Sequence, residues 1–255
     1  MATDAIRMRQ QKERDAKKAG VAEAMAEVQK RGYIKKTLEE IGENGETPFL
    51  TAARTGNLEG LELLIKAGCN TEARDKRSYT AVLIACSIGA LSTVTKLCKL
   101  LNVGILQEKD QRGCSPMWIA AESGNLDMIK HLRKTEGDWT LSEPNEQGES
   151  PLFGACRAGH IYVVEYLGGN LGLPSLIGPD KDGKTPLQVA SEYGHIQIVQ
   201  SLFAMSKEKV LSNDSTSEGK YALDYAKKKK HKDVVNFLES KGALKSEGSS
   251  ACTLL

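Results

Sequence analysis

One residue register returns five times along this chain and leaves little freedom about its fold. Thr47-Pro48-Phe49 is followed by Ala52 and Gly56, and Thr80-Ala81-Val82 by Ala85 and Gly89. Ser115-Pro116-Met117 leads to Ala120 and Gly124, Ser150-Pro151-Leu152 to Ala155 and Gly159, and Thr185-Pro186-Leu187 to Ala190 and Gly194. The opening Thr/Ser positions lie 33, 35, 35 and 35 residues apart. Self-similarity at such a period marks a stack of supersecondary units, each unable to bury its apolar face alone. A chain of 255 residues has room for one or two globular domains, but the period overrides that choice.

Each unit follows one physical logic. Gly45, Gly113, Gly148 and Gly183 stand two places before the Thr/Ser, where a tight turn needs positive φ; Ser78 is the exception. Thr or Ser suits a helix N-cap and Pro the first helical position. The small residue at Ala52, Ala85, Ala120, Ala155 and Ala190 lets helices approach closely. Gly56, Gly89, Gly124, Gly159 and Gly194 then stop the first helix. A second helix follows with Leu61/Leu64, Val94/Leu97, Ile129/Leu132, Val164/Leu167 and Val199/Leu202, spaced three apart and so on one face.

These residues resemble the ankyrin repeat, whose signature is T-P-L-H-x-A at a period of about 33 residues. The resemblance implies an all-α solenoid of about six to seven helix-turn-helix units with short hairpin-like tips. Residues 43–217 hold five of them. The family's His at the fourth motif position is missing: Leu50, Leu83, Trp118, Phe153 and Gln188 stand there instead. Because that His ties turns together in the family, its loss implies a less rigid array. Trp118 and Phe153 read either as packing residues or as an aromatic anchor near the groove.

Worn copies flank the regular units. Residues 218–243 form a C-terminal capping repeat, with Tyr221-Ala222-Leu223, Ala226, and Val235 and Leu238 on the second helix; Lys230 takes the place of the stop glycine. Residues 1–42 are charged and helical in pattern. Gln11, Ala16, Gly20, Met25, Val28 and Gly32 fall on the register, so residues 7–42 read as a degenerate cap, with a solvated helix as the alternative. Residues 244–255 form a tail.

No chemistry emerges from the pattern. Of the four histidines, His160, His195 and His231 sit directly after a stop glycine or its equivalent, which marks them as structural. The six cysteines show no metal spacing and read as reduced thiols. No phosphate loop, zinc-protease or nucleophile-elbow motif is present. The expectation is a non-enzymatic protein with no cofactor and no metal. No run of about 18 apolar residues or signal-like segment appears, so the expected location is cytoplasmic.

The resemblance implies a protein-binding surface made of the tips, including Glu46, Cys114 and Glu149, and the outward face of the first helices. Within it, Arg77, Tyr79, Ile88, Arg112, Arg157 and Tyr193 are the candidate partner-binding residues, since Tyr and Arg are enriched in hot spots. The leading expectation is a scaffold or adaptor for a partner protein; the alternatives are a structural subunit of a larger complex and an RNA-binding protein. Nucleic acid is not the expected partner. The net charge is +2, the N-terminal 43 residues carry ten basic and eight acidic residues, and residues 220–255 carry eight lysines against four carboxylates, so the middle is negative.

Cys252-Thr253-Leu254-Leu255 resembles a prenylation box of the geranylgeranyl type. The same residues fit a ligand for a PDZ domain, and an unmodified tail is the third reading. Lys227–Lys230 offer a second, electrostatic membrane signal, or a solvated outer face on a terminal repeat.

Overall fold

The computed structural model describes residues 26, 38, 41–42, 45–207, 209–213 and 221–243. The degenerate cap expected at 7–42 and the tail at 244–255 lie outside the described residues, apart from the few just named. Among the described residues the fold is entirely helical. The helices are α1 (Pro48–Thr55), α2 (Leu58–Lys66), α3 (Ala81–Ser87), α4 (Leu91–Leu101), α5 (Pro116–Glu122), α6 (Leu126–Glu136) and α7 (Pro151–Ala158). They continue as α8 (Ile161–Leu171), α9 (Leu173–Ile177), α10 (Pro186–Glu192), α11 (Ile196–Ser206), α12 (Ala222–Lys229) and α13 (Lys232–Ser240).

Two compact units divide the chain: Met1–Ala85 with Ala90–Asp110, and Cys86–Gly89 with Gln111–Leu255. In the first, α1 packs on α2 and α2 on α4. In the second, first helices stack α5 on α7 on α10 on α12, and each packs on its own second helix. The core is the apolar pair on each second helix against the small first-helix residues. Leu61, Leu64, Val94, Leu97, Ile129, Leu132, Val164, Leu167, Val199 and Leu202 are all buried, as are Ala85, Ala120, Ala155 and Ala190. The last repeat departs from expectation. Val234 and Leu238 are buried, whereas Val235 is half-buried. Val235 sits in the register of Val199, and among the described residues no further repeat covers it.

The difference between 33- and 35-residue spacing has a structural cause. The first repeat passes from α2 straight to its turn. The next three insert an extra helical turn after the second helix, at Val103–Gln107, Asp138–Ser142 and Leu173–Ile177.

The caps form largely as the residue types dictate. The side-chain oxygens of Thr47, Ser115 and Thr185 each accept the N–H of the third residue on, satisfying a donor that the first helical turn leaves over. Gln188 completes a capping box by accepting the Thr185 N–H at 3.1 Å. Ser150 makes no such side-chain bond, and the Thr80 hydroxyl is buried without a hydrogen bond. Ser78 holds φ 61° where the other turns use glycine.

Two periodic networks tie the second unit together. At the tips, Asn145 Oδ1 accepts the N–H groups of Gln147 and Glu149, both at 3.0 Å. Asp180 does the same for Asp182 and Lys184, at 2.9 and 2.8 Å. Successive tips then join backbone to backbone, from Glu146 N–H to the Arg112 carbonyl and from Lys181 N–H to the Gln147 carbonyl, each at 3.0 Å. Asp75 makes the equivalent turn in the first unit, accepting from Arg77 and Tyr79 at 2.8 Å.

At the other end of the first helices runs a ladder. The Asn125 amide donates to the carbonyls of Cys86 and Ser87. His160 reaches the Glu122 carbonyl at 3.0 Å, His195 the Arg157 carbonyl at 3.1 Å and His231 the Glu192 carbonyl at 2.9 Å. A carbonyl only accepts, so Nε2 carries the proton in each ring. Each ring lies over the preceding stop glycine. A Cβ on Gly124, Gly159 or Gly194 would meet it at 2.5 to 2.7 Å. These glycines are required twice, by positive φ and by the ring.

Candidate functional site

The tip and first-helix face of the second unit is a row of paired charges. The Arg112 guanidinium pairs with Glu122 at 3.3 Å and lies 4.9 Å over the Trp118 ring. One repeat on, Arg157 pairs with Glu149, which Asn145 also holds at 3.0 Å, and its guanidinium lies 6.0 Å from the centre of the Trp118 ring. Burial pushes the Arg157 guanidinium down, but the Glu149 carboxylate beside it more than compensates, so its pKa is raised. In the next repeat Lys184 pairs with Glu192 and its ammonium sits 4.8 Å over the Tyr225 ring. The cation comes from the tip in two of these pairs and from the helix in the third.

Beside the row stand two uncovered apolar side chains. Tyr193 is 49% exposed and its ring stacks on His195 with centroids 6.4 Å apart. Ile88 is 44% exposed. In the first unit, Glu46 pairs with Arg54, and Arg77, exposed, covers the Tyr79 ring at 4.5 Å.

Among the described residues no group of His, Cys, Asp and Glu is placed to hold a metal ion. Burial pushes the Cys156 thiol well above its ordinary range, away from the reactive thiolate. Residues 88–173 and 168–247 match the family model for ankyrin repeats in three copies, and residues 44–76 match the model for a single ankyrin repeat. The chain belongs to the ankyrin repeat family. A search of curated proteins found no match. Ankyrin repeats are protein-interaction modules and typically non-catalytic. Among the described residues no helix is long and apolar enough to cross a membrane.

This ankyrin array corrects part of the expected surface. Tyr79 is only 5% exposed and is not an outward anchor. It precedes the N-cap, a position that is buried in three other repeats, at Glu46, Cys114 and Glu149, and half-buried at Lys184. The tip turn points this residue toward the helix pair, and Arg77 covers what remains of the Tyr79 ring. Arg77 and Tyr79 belong to the first unit and Ile88 to the second. Arg112, Arg157, Ile88 and Tyr193 are together in the second.

Trp118 proves to be a packing residue. It is fully buried, and its indole N–H donates to the Glu149 carbonyl of the next tip at 3.1 Å. It therefore ties adjacent repeats from the register position where the family's His is missing. Phe153 is buried as well.

Sequence reasoning passed over the second-helix side. There Arg133 bridges Asp138 at 2.7 Å, the Tyr166 hydroxyl at 3.1 Å and Asn170 at 2.7 Å. Tyr162 and Trp139 are exposed on this part of the unit. Their signal was available: Tyr162, Tyr166 and Asn170 recur at four-residue spacing, one stripe of a helix.

Proposed function

We propose that this ankyrin protein is a non-enzymatic adaptor that holds a partner protein on the tip and first-helix face of its second unit. The observation that carries the reading is the exposed Tyr193 beside charges already locked in pairs. Arg112–Glu122, Arg157–Glu149 and Lys184–Glu192 are fixed by their own repeat, so a partner meets a preorganised surface and the ordering cost of long side chains is already met. Tyr193 and Ile88 are the apolar contacts left to seat it.

Proximity labelling in cells, comparing the native chain with Tyr193→Ala/Ile88→Ser, tests this. Both side chains are exposed, so the variant is expected to melt with the native chain. The expected result is loss of one or more labelled partners. An unchanged partner set removes this face.

A second reading, attachment to an anionic membrane, is favoured by one observation: Lys228, Lys229, Lys230 and Lys232 are all exposed. Each lysine near such a surface contributes about 1 kcal/mol. Cys252, whose lipidation would supply the other signal, lies outside the described residues. Membrane fractionation and intact mass of Cys252→Ser in a eukaryotic cell test it; equal solubility and no added lipid mass end it, leaving the PDZ-ligand or plain-tail reading.

A further inference from the structure

The second regular repeat, Ser78 to Glu108, departs from its neighbours at one position after another. Its tip turn puts Ser78 at φ 61°, where Gly45, Gly113, Gly148 and Gly183 hold φ 72–82°. A side chain there crowds the following carbonyl, which glycine avoids. Ala81 opens the first helix, where Pro48, Pro116, Pro151 and Pro186 restrict the unfolded chain. The hydroxyls of Thr80 and Thr93 and the Glu108 Oε2 are all buried without a hydrogen bond. Thr93 takes the place of Gly60, Met128, Val163 and Ile198, none with a polar side chain. Ala90 stands where Asn125, His160 and His195 bond carbonyls of the preceding repeat, so this repeat adds no rung to that ladder. After α4, Asn102 adopts φ 114°, ψ 170°, where Gly137 and Gly172 hold φ 102° and 75°. That region is essentially reserved for glycine. The Asn102 side chain offsets part of the strain by accepting the Gly104 N–H at 2.7 Å.

The core does not make up the difference. Leu83, Ile84, Ala85, Cys86, Val94 and Leu97 are fully buried, and so are Leu152, Ala155, Cys156, Val164 and Leu167 two repeats on. The third repeat shares none of these lapses, and the next two carry one or two each. Ser150 lacks its cap bond in the fourth; in the fifth the Ser191 hydroxyl is buried unpaired and Lys207 holds φ 51°. With apolar burial alike, backbone and polar terms decide which repeat is weakest. A stacked unit contacts only its neighbours. Because α2 packs on α4, opening the second repeat strips the first of its partner.

We infer that the second repeat is a built-in opening point: the first and second repeats, Thr47 to Asp110, unfold together as one local unit while the repeats from Ser115 onward stay folded. This conformational device uncovers the apolar faces of α1–α4 and leaves the tip and first-helix face of the later repeats in place. It goes beyond the adaptor reading and does not depend on it.

Two cysteines serve as matched probes. Cys86 and Cys156 follow Ala85 and Ala155 in the same register and both are fully buried, so each thiol reacts only when its own repeat opens. The test is maleimide labelling of the full chain, read peptide by peptide by mass spectrometry and normalised to the urea-unfolded chain. Cys86 is expected to react about a hundredfold faster than Cys156. Ser78→Gly/Thr93→Val/Asn102→Gly removes three of the lapses and is expected to slow Cys86 about a hundredfold while leaving Cys156 unchanged. Ser78→Gly/Asn102→Gly, confined to the two turns, is expected to slow it about twentyfold and serves if the change at Thr93 disturbs packing. Hydrogen exchange on the same chains fixes the boundary: amides of α1–α4 are expected to exchange together and ahead of those of α5–α8. Equal labelling of the two cysteines, insensitivity of Cys86 to both variants, or fast exchange confined to α1 and α2 overturns the proposal. Partner binding at the tip face enters none of these readouts.

Discussion

At the scale of single residues, the positions that look chemical are structural ones. His195 is the clearest case. Its Nε2 proton goes to the Arg157 carbonyl, and its ring covers Gly159. His195→Ala should cost about 1 kcal/mol in urea unfolding, and His195→Asn should recover much of that, because Asn125 makes the equivalent bonds to Cys86 and Ser87. Asp180 makes a contrasting case. Burial raises its pKa although two backbone N–H groups favour the carboxylate. A carboxyl raised on folding destabilises the native state where it is charged, so Asp180→Asn should raise the melting temperature at pH 7 by roughly 1–2 °C. That advantage should shrink as the pH falls through the raised pKa and vanish below the unfolded-chain value, where Asp180 is neutral in both states. Thermal melts of both proteins across pH 3–7 read it directly. Asn145, at the same turn position one repeat earlier, already accepts the same pair of N–H groups without a charge.

At the scale of elements, each helix end is specified by one or two residues, and the exceptions are informative. Helix α4 has Ala90 as its N-cap, whose methyl group cannot accept a hydrogen bond from the first turn. Its counterpart Asn57 accepts the Gly60 N–H at 2.9 Å, and Asn125 bridges to the repeat before. Ala90→Asn should therefore stabilise the first unit by about 1 kcal/mol, seen as a higher urea midpoint at unchanged slope. An unchanged midpoint would mean that neither the α4 first turn nor the Arg54 carbonyl is within reach of the new side chain. The second-helix pairs are insensitive to this kind of detail. Their burial follows from spacing alone, and only Val235, with no described repeat beyond it, escapes.

At the scale of the whole chain, the repeats divide their charges locally. Glu62 is held between Lys66 and Lys96, at 2.8 and 2.6 Å, and its pKa falls to about 2. Like the tip pairs, it spends its charge inside the array, which suits a protein of net charge +2. Stability of a stacked array depends on its terminal units. The register over residues 7–42 predicts a unit covering the Ala52, Leu61 and Leu64 face. Deleting residues 1–42 should then lower the melting temperature and the solubility of the remaining chain, checked by calorimetry and sedimentation. A truncated protein that melts like the full one removes that unit from the description.

Periodicity alone carried the helix pairs, the stop glycines, the caps at Thr47, Ser115 and Thr185, and the buried second-helix faces. Each of these follows from local backbone preference or from the spacing of apolar residues along one helix, which a linear string records in full. The assignment of Arg112, Arg157 and Tyr193 to the tip and first-helix side also came from register. Other facts needed residues about 35 positions apart to be brought together. Tyr79 looks exposed in a tip and is buried, because the turn that Asp75 and Ser78 make directs it inward. Trp118 looks like a candidate anchor and instead bonds the Glu149 carbonyl of the next repeat. Whether a charge on the first helix is free or already paired depends on the tip above it, as Glu149 and Arg157 show. Contacts between successive repeats are set by packing, and no local preference in the sequence encodes them.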